Sequence, residues 1–175
     1  MIRDSARYDA TRHSGGSRIN LGCGHIPLND YLNVDRRDLP RVDIVAEAGA
    51  LPFEPGSVAE IFSSHMIEHF PQEDMRRRLL PYWLGLLRPG GVFHVITPDA
   101  EDMLARAAAG QYEFAQFRES LFGAQDYEGD YHYNLFSPDS LMAMLGEAGF
   151  HDPKIVARGR KNGSCYEFEV TAIKL

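Results

Sequence analysis

The stretch of sequence that decides the fold reads Ile19-Asn20-Leu21-Gly22-Cys23-Gly24-His25, and Val34-Asp35 follows soon after it. A short apolar run that ends in two glycines is typical of a strand that turns sharply and leaves bare backbone open to a ligand. An acid at the tip of the next strand accepts hydrogen bonds from both hydroxyls of a ribose. The pattern therefore indicates a site for a cofactor that contains a nucleoside.

The spacing between the glycines and the acid argues against a dinucleotide site. A dinucleotide-binding unit carries a third glycine, and its acid stands about 20 residues beyond the turn. Here Ile26 and Asn29 occupy the positions where the third glycine is expected, and Asp35 lies too close to Gly24 for a full helix between them. We predict that the first crossover helix is shortened or absent, and a nicotinamide-dependent oxidoreductase is a less favoured alternative.

The composition excludes several classes of protein. With 175 residues and a formal net charge of −7, the chain is expected to form one domain and not to bind nucleic acid by general phosphate neutralisation. Its two cysteines, Cys23 and Cys165, cannot build a disulfide framework. No apolar stretch approaches the roughly 18 to 20 residues of a membrane span. We expect a cytoplasmic protein without a membrane partner.

Seven short apolar runs predict seven strands. They span residues 18–21, 31–34, 43–46, 60–63, 92–97, 154–158 and 165–174. The last two flank Asn162-Gly163, a pair that favours a tight reversal, so these strands should be antiparallel. The first five alternate with helix-like segments and should be parallel, because right-handed crossovers place helices between parallel strands.

Three helices have recognisable start signals. Ser137-Pro138-Asp139 opens the clearest one, which should end before Gly149. Asp99 is expected to cap a second helix. A third should begin after Pro71, and Pro81 inside it should kink or split it.

The chain is predicted to consist of an arm and one domain. Residues 1–17 are polar and are interpreted as an N-terminal arm or lid, whereas residues 18–175 form the domain. Within the domain, residues 111–136 are rich in aromatic side chains. A cleft lined by aromatic side chains suits a small organic ligand, so this segment is the candidate substrate cap.

Six segments, in this order and spacing, resemble the class I S-adenosylmethionine-dependent methyltransferases, in particular the small bacterial kind with a generic methyltransferase domain. They are residues 20–24, 33–35, 47–53, 64–70, 87–93 and 147–150. The resemblance implies an α/β, Rossmann-like sheet of seven strands in the order 3-2-1-4-5-7-6. Strand 7 should be antiparallel, with helices on both faces of the sheet. The implied cofactor is S-adenosyl-L-methionine.

The resemblance also implies a set of cofactor-binding residues. They are Asn20, Gly22, Cys23, Gly24, Asp35, Glu47, Ala48, Ser64 and His65. The glycines shape the turn under the methionine and ribose, Asp35 holds the ribose diol, and Glu47 receives the adenine amino group. Ser64 and His65 should lie beside the sulfonium. Asn20 stands where the family usually has an acid, which removes a charged partner of the cofactor's amino group.

The segment His65-Met66-Ile67-Glu68-His69 spells the inverted zinc-protease signature. A protease is disfavoured because such histidines lie one turn apart inside a helix, whereas this segment follows a strand directly. Metal-assisted O-methyltransferases bind a divalent ion through a Glu-x-x-Glu-His segment at this place, and His132 could supply a further ligand. Since His65 replaces the first glutamate, we expect no functional metal ion and keep this class as a less favoured alternative.

We interpret the chain as a methyltransferase that acts on an oxygen or nitrogen atom of a small-molecule or glycan-type acceptor. The sulfonium is already activated, so the protein supplies alignment and, for a hydroxyl, a base. The candidate catalytic residues are His132, His69 and Asp99. The main alternative is a catalytically degenerate regulatory domain that binds S-adenosylmethionine, and a homodimer is left open.

Overall fold

Seven strands form a mixed sheet in the computed structural model, which describes residues 1–4, 6, 8–9 and 16–175. The strands are β1 (Ser17–Leu21), β2 (Leu32–Asp35), β3 (Ile44–Val45), β4 (Val58–Ser64), β5 (Leu87–Pro98), β6 (His151–Asn162) and β7 (Cys165–Ile173). Their order is β3-β2-β1-β4-β5-β7-β6. Strand β7 is antiparallel to both of its neighbours, and the other pairs are parallel. The predicted fold class, strand order and strand directions are confirmed.

Short helices connect these strands. They are a 3₁₀ turn (Ile67–His69), α1 (Gln72–Asp74), a π-helical segment (Met75–Leu79), α2 (Leu80–Leu86), α3 (Ala100–Ala108), α4 (Phe114–Phe122) and α5 (Pro138–Glu147). Within the described part of the chain, no helix has the length and apolar character needed to cross a membrane.

The predicted caps of two helices are present. At the start of α5, the Ser137 hydroxyl accepts from the backbone N–H of Ser140, and the Ser140 hydroxyl accepts from the backbone N–H of Ser137. This reciprocal pair is a capping box. Asp99 caps α3 by accepting from the backbone N–H of Asp102 at 3.1 Å. Both helices therefore begin where the sequence predicts them.

The helical run from α1 to α2 accommodates Pro81 by widening one turn. Proline lacks an N–H group, and its ring would clash with the carbonyl four residues earlier in an α-helix. Ahead of Pro81 the chain forms the π-helical segment, after which the backbone N–H of Leu80 donates to the carbonyl of Met75. The predicted kink or split is thus a local change from α- to π-helical winding.

The connection between β1 and β2 contains no helix, as predicted. Residues 22–31 are all described and form turns and irregular backbone. The buried Asn20 side chain donates to the carbonyl of Ile26 at 3.1 Å and to Oδ1 of Asn33 at 3.0 Å. The same Oδ1 atom accepts from the backbone N–H of Leu28 at 2.7 Å. These bonds hold the short connection in place without a packed helix.

The two faces of the sheet are covered differently. On one face, α2 stacks Trp83 against Phe93 of β5, with ring centroids 5.7 Å apart. The β1–β2 connection runs across the sheet in the opposite direction to the β4–β5 connection. A helix in the β1–β2 connection would therefore pack on the other face of the sheet. That face carries His94, because successive strand residues alternate sides. His94 lies 2.7 Å from Glu169 of β7 and 3.5 Å from Glu60 of β4, so ion pairs occupy the face where the helix is missing.

The described residues of the arm pack at the β3 edge of the sheet. Ile2 forms an antiparallel bridge with Ile44, and the buried Tyr8 ring contacts Phe53. Residues 5, 7 and 10–15 lie outside the described part of the chain, so the interpretation of residues 1–17 as a lid stays a prediction.

Replacing Asn20 by alanine should lower the free energy of unfolding by about 2 kcal/mol, because the carbonyl of Ile26 and Oδ1 of Asn33 each lose one hydrogen bond. Urea unfolding followed by circular dichroism measures this change. Asn29→Ala is the matched control, since Asn29 lies exposed in the same connection, and it should change stability by about 0.5 kcal/mol or less. Equal losses in the two variants would contradict the role assigned to Asn20.

His94→Gln should flatten the pH dependence of stability. Burial alone would lower the pKa of His94, but its bonds to Glu60 and Glu169 raise it above its ordinary value. The stabilisation from charged His94 is therefore complete below pH 6.5 and is lost as the pH rises through the raised pKa. Between pH 6 and pH 9 the parent should lose about 1 kcal/mol more stability than His94→Gln in urea unfolding. The exposed His151→Gln variant should follow the parent, and a parallel loss in His94→Gln would refute the ion-pair explanation.

Candidate functional site

A cleft of about 550 Å³ opens at the carboxyl ends of β1, β2 and β4. Open α/β sheets bind ligands at this edge, next to the point where the strand order reverses. All the predicted cofactor residues except Asn20 line the cleft, namely Gly22, Cys23, Gly24, Asp35, Glu47, Ala48, Ser64 and His65. The fold therefore brings the separate sequence segments together in one place.

The turn after β1 requires a glycine at position 22. Gly22 has a φ of +73°, which side chains disfavour, and a Cβ atom there would lie 2.5 Å from Cγ of Met66. The backbone N–H groups of Gly22 and Cys23 donate to the carbonyl of Val34 at 2.8 and 3.1 Å. Burial, followed by the charge of Asp35, raises the pKa of the Cys23 thiol to about 12, so this side chain stays neutral.

Asp35 ends β2 inside the cleft, with 5% of its surface exposed. Its Oδ2 atom accepts from the backbone N–H of Gly24 at 2.9 Å. Its Oδ1 atom accepts from the backbone N–H of Arg37 at 2.8 Å and from the Arg37 side-chain Nε at 3.2 Å. An ionised carboxylate has about four acceptor sites, so the Asp35 carboxylate keeps capacity for a ligand hydroxyl.

The segment after β3 contributes the third wall of the cleft. Glu47 is exposed, whereas Ala48 is buried. The carbonyl of Ala48 accepts from Nε1 of Trp83 at 2.8 Å, which fixes this segment to α2. The exposed carboxylate of Glu47 is therefore carried by a backbone with a defined position.

Part of the cap covers the cleft, and sequence reasoning missed the residues that hold it there. The Arg37 guanidinium lies 4.3 Å from the centre of the Tyr127 ring. Arg36 donates to the carbonyl of Glu128 at 2.5 Å. The Arg36 guanidinium also packs closely on Gly129, where an added Cβ atom would lie 2.6 Å from Nη2 of Arg36. The two arginines directly after Asp35 were the available sequence signal for these contacts, but their partners Glu128 and Tyr127 lie about 90 residues further along the chain.

His65 turns the chain where β4 ends. Its φ is +51°, its Nε2 atom lies 2.7 Å from Oε2 of Glu167, and its Nδ1 atom lies 3.4 Å from Oε1 of Glu68. Burial alone would lower the pKa of His65, but Glu167 and then Glu68 raise it to about 9. Burial would raise the pKa of Glu167, but its bonds to His65, Asn162 and Arg160 lower it to about 2. His65 is therefore a cation held between two carboxylates.

A second cavity of about 300 Å³ adjoins the cleft and shares His65 with it. Ser120 and His132 line one side of this cavity, and Asn162 and Cys165 line the other. The smaller cavity thus lies between the cap and the hairpin of β6 and β7.

Two of the three predicted catalytic residues meet in space. The rings of His69 and His132 lie edge to face with centroids 4.8 Å apart. The Nδ1 atom of His132 lies 2.9 Å from the carbonyl oxygen of Ser120, and that of His69 lies 3.2 Å from the carbonyl oxygen of Tyr131. A carbonyl oxygen only accepts, so both Nδ1 atoms donate and both Nε2 atoms keep a lone pair. Burial lowers the pKa of His132 more than the nearby Glu68 raises it.

Glu68 is a buried carboxylate beside these histidines, with 1% of its surface exposed. Its Oε2 atom accepts from the Thr97 hydroxyl at 3.1 Å. Its Oε1 atom has no hydrogen-bond partner among the described residues. Burial alone would raise the pKa of Glu68, but His65 and then His69 and His132 lower it, so the carboxylate is ionised.

Two predicted site residues have structural tasks. Asp99 is fully buried, caps α3 and accepts from Nε of Arg158 at 2.7 Å, and it lines neither cavity. Each of its oxygens accepts one hydrogen bond, and its role as a base stays a prediction. The amide of Asn20 donates to the β1–β2 connection and to Asn33 and does not line the cleft, so its role as a cofactor contact also stays a prediction.

Residues 27–95 match the family model described as a methyltransferase domain. This segment contains the ends of β2, β3 and β4, and so it includes Asp35, Glu47 and Ser64 of the cleft. No sequence among the curated proteins matches the chain.

Solved structures match the chain over most of its length. An S-adenosylmethionine-dependent methyltransferase of Thermotoga maritima, named as a possible histamine N-methyltransferase, is 19% identical, with a TM-score of 0.66 over 91% of this chain and 83% of that one. One from Methanosarcina mazei is 13% identical, with a TM-score of 0.62 over 100% and 99%. Phosphoethanolamine N-methyltransferase 2 of Haemonchus contortus, in complex with S-adenosyl-L-methionine, is 13% identical, with a TM-score of 0.58 over 97% and 51%. The TM-scores show a shared fold despite these low sequence identities.

The strand order distinguishes this fold from that of the dinucleotide-binding proteins. The dinucleotide fold has the order 3-2-1-4-5-6, whereas here the antiparallel β7 lies between β5 and β6. By this topology and by the match over residues 27–95, the chain is similar to the class I S-adenosylmethionine-dependent methyltransferases.

Proposed function

We propose that the protein transfers the methyl group of S-adenosyl-L-methionine to an oxygen or nitrogen atom of a small-molecule or glycan-type acceptor. The observation that carries the proposal is the buried Asp35 carboxylate in a cleft whose neighbouring turn is bare glycine backbone. A ribose diol needs such an acceptor, and the glycine turn lets a ligand approach the backbone closely.

The cleft supports one orientation of the cofactor. The ribose binds Asp35, and its second hydroxyl displaces one of the bonds that Arg37 makes to Oδ1. The adenine lies toward Glu47 and Ala48, and Tyr127 covers the nucleoside from the cap. This leaves the methionine part over the glycine turn.

The smaller cavity supports the position of the acceptor. It adjoins the cleft at His65, so a ligand in each cavity brings the acceptor atom toward the sulfonium for an in-line transfer. His69 lines the cleft and His132 lines the smaller cavity, and both present Nε2 lone pairs. We assign these imidazoles to removal of the acceptor's proton.

The alternative of a catalytically degenerate regulatory domain rested on Asn20 and on the short first crossover. The structure gives Asn20 a task in holding that crossover, and the cap covers the cleft from the other side. Neither departure therefore favours a loss of turnover.

Asp35→Ala should weaken binding of S-adenosylhomocysteine at least about tenfold, because the ligand loses hydrogen bonds to a charged acceptor. Isothermal titration calorimetry with S-adenosylmethionine, S-adenosylhomocysteine and NAD measures this loss and the choice of cofactor. Asp38→Ala is the control, since Asp38 is exposed in the same loop and lies outside the cleft. Unchanged affinity in Asp35→Ala, or preferential binding of NAD, would refute the proposal.

His132→Ala should keep the parent's affinity for S-adenosylhomocysteine and lose turnover on the order of 100-fold, because proton removal from the acceptor is impaired. Release of S-adenosylhomocysteine is followed with panels of hydroxyl and amine acceptors, and the panel that responds identifies the acceptor atom. His151→Gln serves as the control with parental turnover. Parental turnover in His132→Ala would remove this residue from the acceptor site.

A further inference from the structure

The charge of its wall distinguishes the smaller cavity from the cleft. This cavity adjoins the cleft at His65 and lies between the cap and the hairpin of β6 and β7. The described residues that line it include no lysine or arginine, whereas Glu119 of α4 contributes a carboxylate. Because Glu119 is exposed, its carboxylate is accessible to a ligand that enters the cavity.

Glu119 is the carboxylate of this wall whose charge remains available to a ligand. Its Oε1 atom accepts from the Ser164 hydroxyl at 3.3 Å, and no cation pairs with it among the described residues. The two other carboxylates near the cavity are paired inside the protein. Glu167 is bound by His65 and Arg160, and Glu68 lies 3.4 Å from His65. A positively charged ligand is therefore the natural partner of Glu119.

The same wall disfavours a negatively charged ligand. Both ring nitrogens of His65 face carboxylates, Nε2 at 2.7 Å from Glu167 and Nδ1 at 3.4 Å from Glu68, so this cation is already engaged. Burial, followed by the charges of Glu167 and Glu68, raises the pKa of the Cys165 thiol to about 12. Cys165 lines the cavity, so the charges that keep its thiol neutral also oppose an anionic ligand there.

The polar side chains of the wall present hydrogen-bond acceptors. The Ser120 hydroxyl uses its hydrogen to donate to the carbonyl of Ser164 at 3.0 Å. The Asn162 Nδ2 atom donates to Glu167 at 2.9 Å, which leaves Oδ1 as an acceptor. On the side of the cap, His132 adds the lone pair of its Nε2 atom. An ammonium group carries only donors and matches this wall.

The base at this wall suits an amine better than a hydroxyl. Burial lowers the pKa of His132 more than the nearby Glu68 raises it, so the imidazole is neutral at neutral pH. An aliphatic ammonium has a pKa of about 10, whereas that of water is about 16. Proton transfer to the imidazole is therefore far less costly from an ammonium than from a hydroxyl.

We propose that the acceptor is a primary or secondary amine, for whose ammonium ion Glu119 is the counter-ion and His132 the base. This assignment rests on the proposed function and narrows it to transfer to nitrogen. The ammonium gives one proton to Nε2 of His132, and the freed nitrogen lone pair forms the bond to the methyl carbon. The carbon–sulfur bond breaks, its electron pair stays on sulfur, and the proton passes from His132 to solvent. The products are an N-methylated ammonium ion and S-adenosylhomocysteine.

The choice of acceptor is tested on the full chain with S-adenosylmethionine and three matched panels. They contain aliphatic and aromatic amines, and the alcohols and carboxylic acids of the same carbon skeletons. Amines should release S-adenosylhomocysteine, and the matching alcohols should react at least about 100-fold more slowly. Preference for an alcohol or a carboxylic acid would overturn the proposal. So would the lack of a response to any amine, both in turnover and in calorimetric titration of the protein saturated with S-adenosylhomocysteine.

Glu119→Gln removes the charge and keeps the local contact, because the amide oxygen still accepts from the Ser164 hydroxyl. This variant should raise KM for the responding amine about tenfold and leave kcat within about twofold, since a charged partner of the bound substrate is lost. Glu113→Gln is the matched control, because Glu113 is exposed directly before α4 and lines neither cavity. An unchanged KM in Glu119→Gln, or the same rise in Glu113→Gln, would overturn the assignment of Glu119.

Titration with S-adenosylhomocysteine separates this inference from the proposed function, since neither Glu119 nor His132 lines the cleft. A protein that binds S-adenosylhomocysteine and methylates alcohols keeps the proposed function and refutes the amine. A protein that binds no S-adenosylhomocysteine refutes the proposed function. Calorimetric titration with the amine panel alone then decides the nature of the cavity. Binding that Glu119→Gln weakens supports an amine site, and binding that is absent or unchanged in this variant overturns it.

Discussion

The short connection between β1 and β2 is the constraint on which much of the structure depends. Because it has no room for a helix, the face of the sheet beneath it is left without that cover, and the ion pairs of His94 occupy it. The connection also needs internal support, which Asn20 and Asn33 provide through side-chain hydrogen bonds. The cleft is consequently open on the side where a helix N-terminus would stand, and the cap reaches over it from the opposite direction.

Two of the contacts that attach the cap lie beside different cavities. At the cleft, Arg36 donates to the backbone carbonyl of Glu128 and Arg37 packs on the ring of Tyr127. Next to the smaller cavity, the carbonyl of Glu68 accepts from the backbone N–H groups of Tyr133 and Asn134 in the cap. Arg37 also donates to the carboxylate of Asp35, so one side chain contacts both the cap and the acid at the end of β2.

The strands and their order could be predicted from local patterns, because apolar runs, glycine turns and the Asn162-Gly163 reversal each act over a few residues. The same holds for Asp99, whose position before a helix indicated a cap, although its ion pair with Arg158 could not be predicted from the sequence. The hydrogen bond of Asn20 could not be predicted, because its partner Asn33 lies across the turn. The contact of Arg37 with Tyr127 depends on the folding of the cap, for which the sequence offers no periodic signal.

The left-handed backbone at His65 explains how one segment serves both cavities. This conformation costs a residue other than glycine roughly 1–2 kcal/mol. A glycine would avoid that cost, but it would lose the bond to Glu167 that fixes the end of β4 to β7. The reversal brings Glu68 and His69 directly after the strand, so that Glu68 reaches Thr97 of β5 and His69 reaches the cap. The strain at one residue thus places the acid and the imidazole where the cofactor cleft meets the smaller cavity.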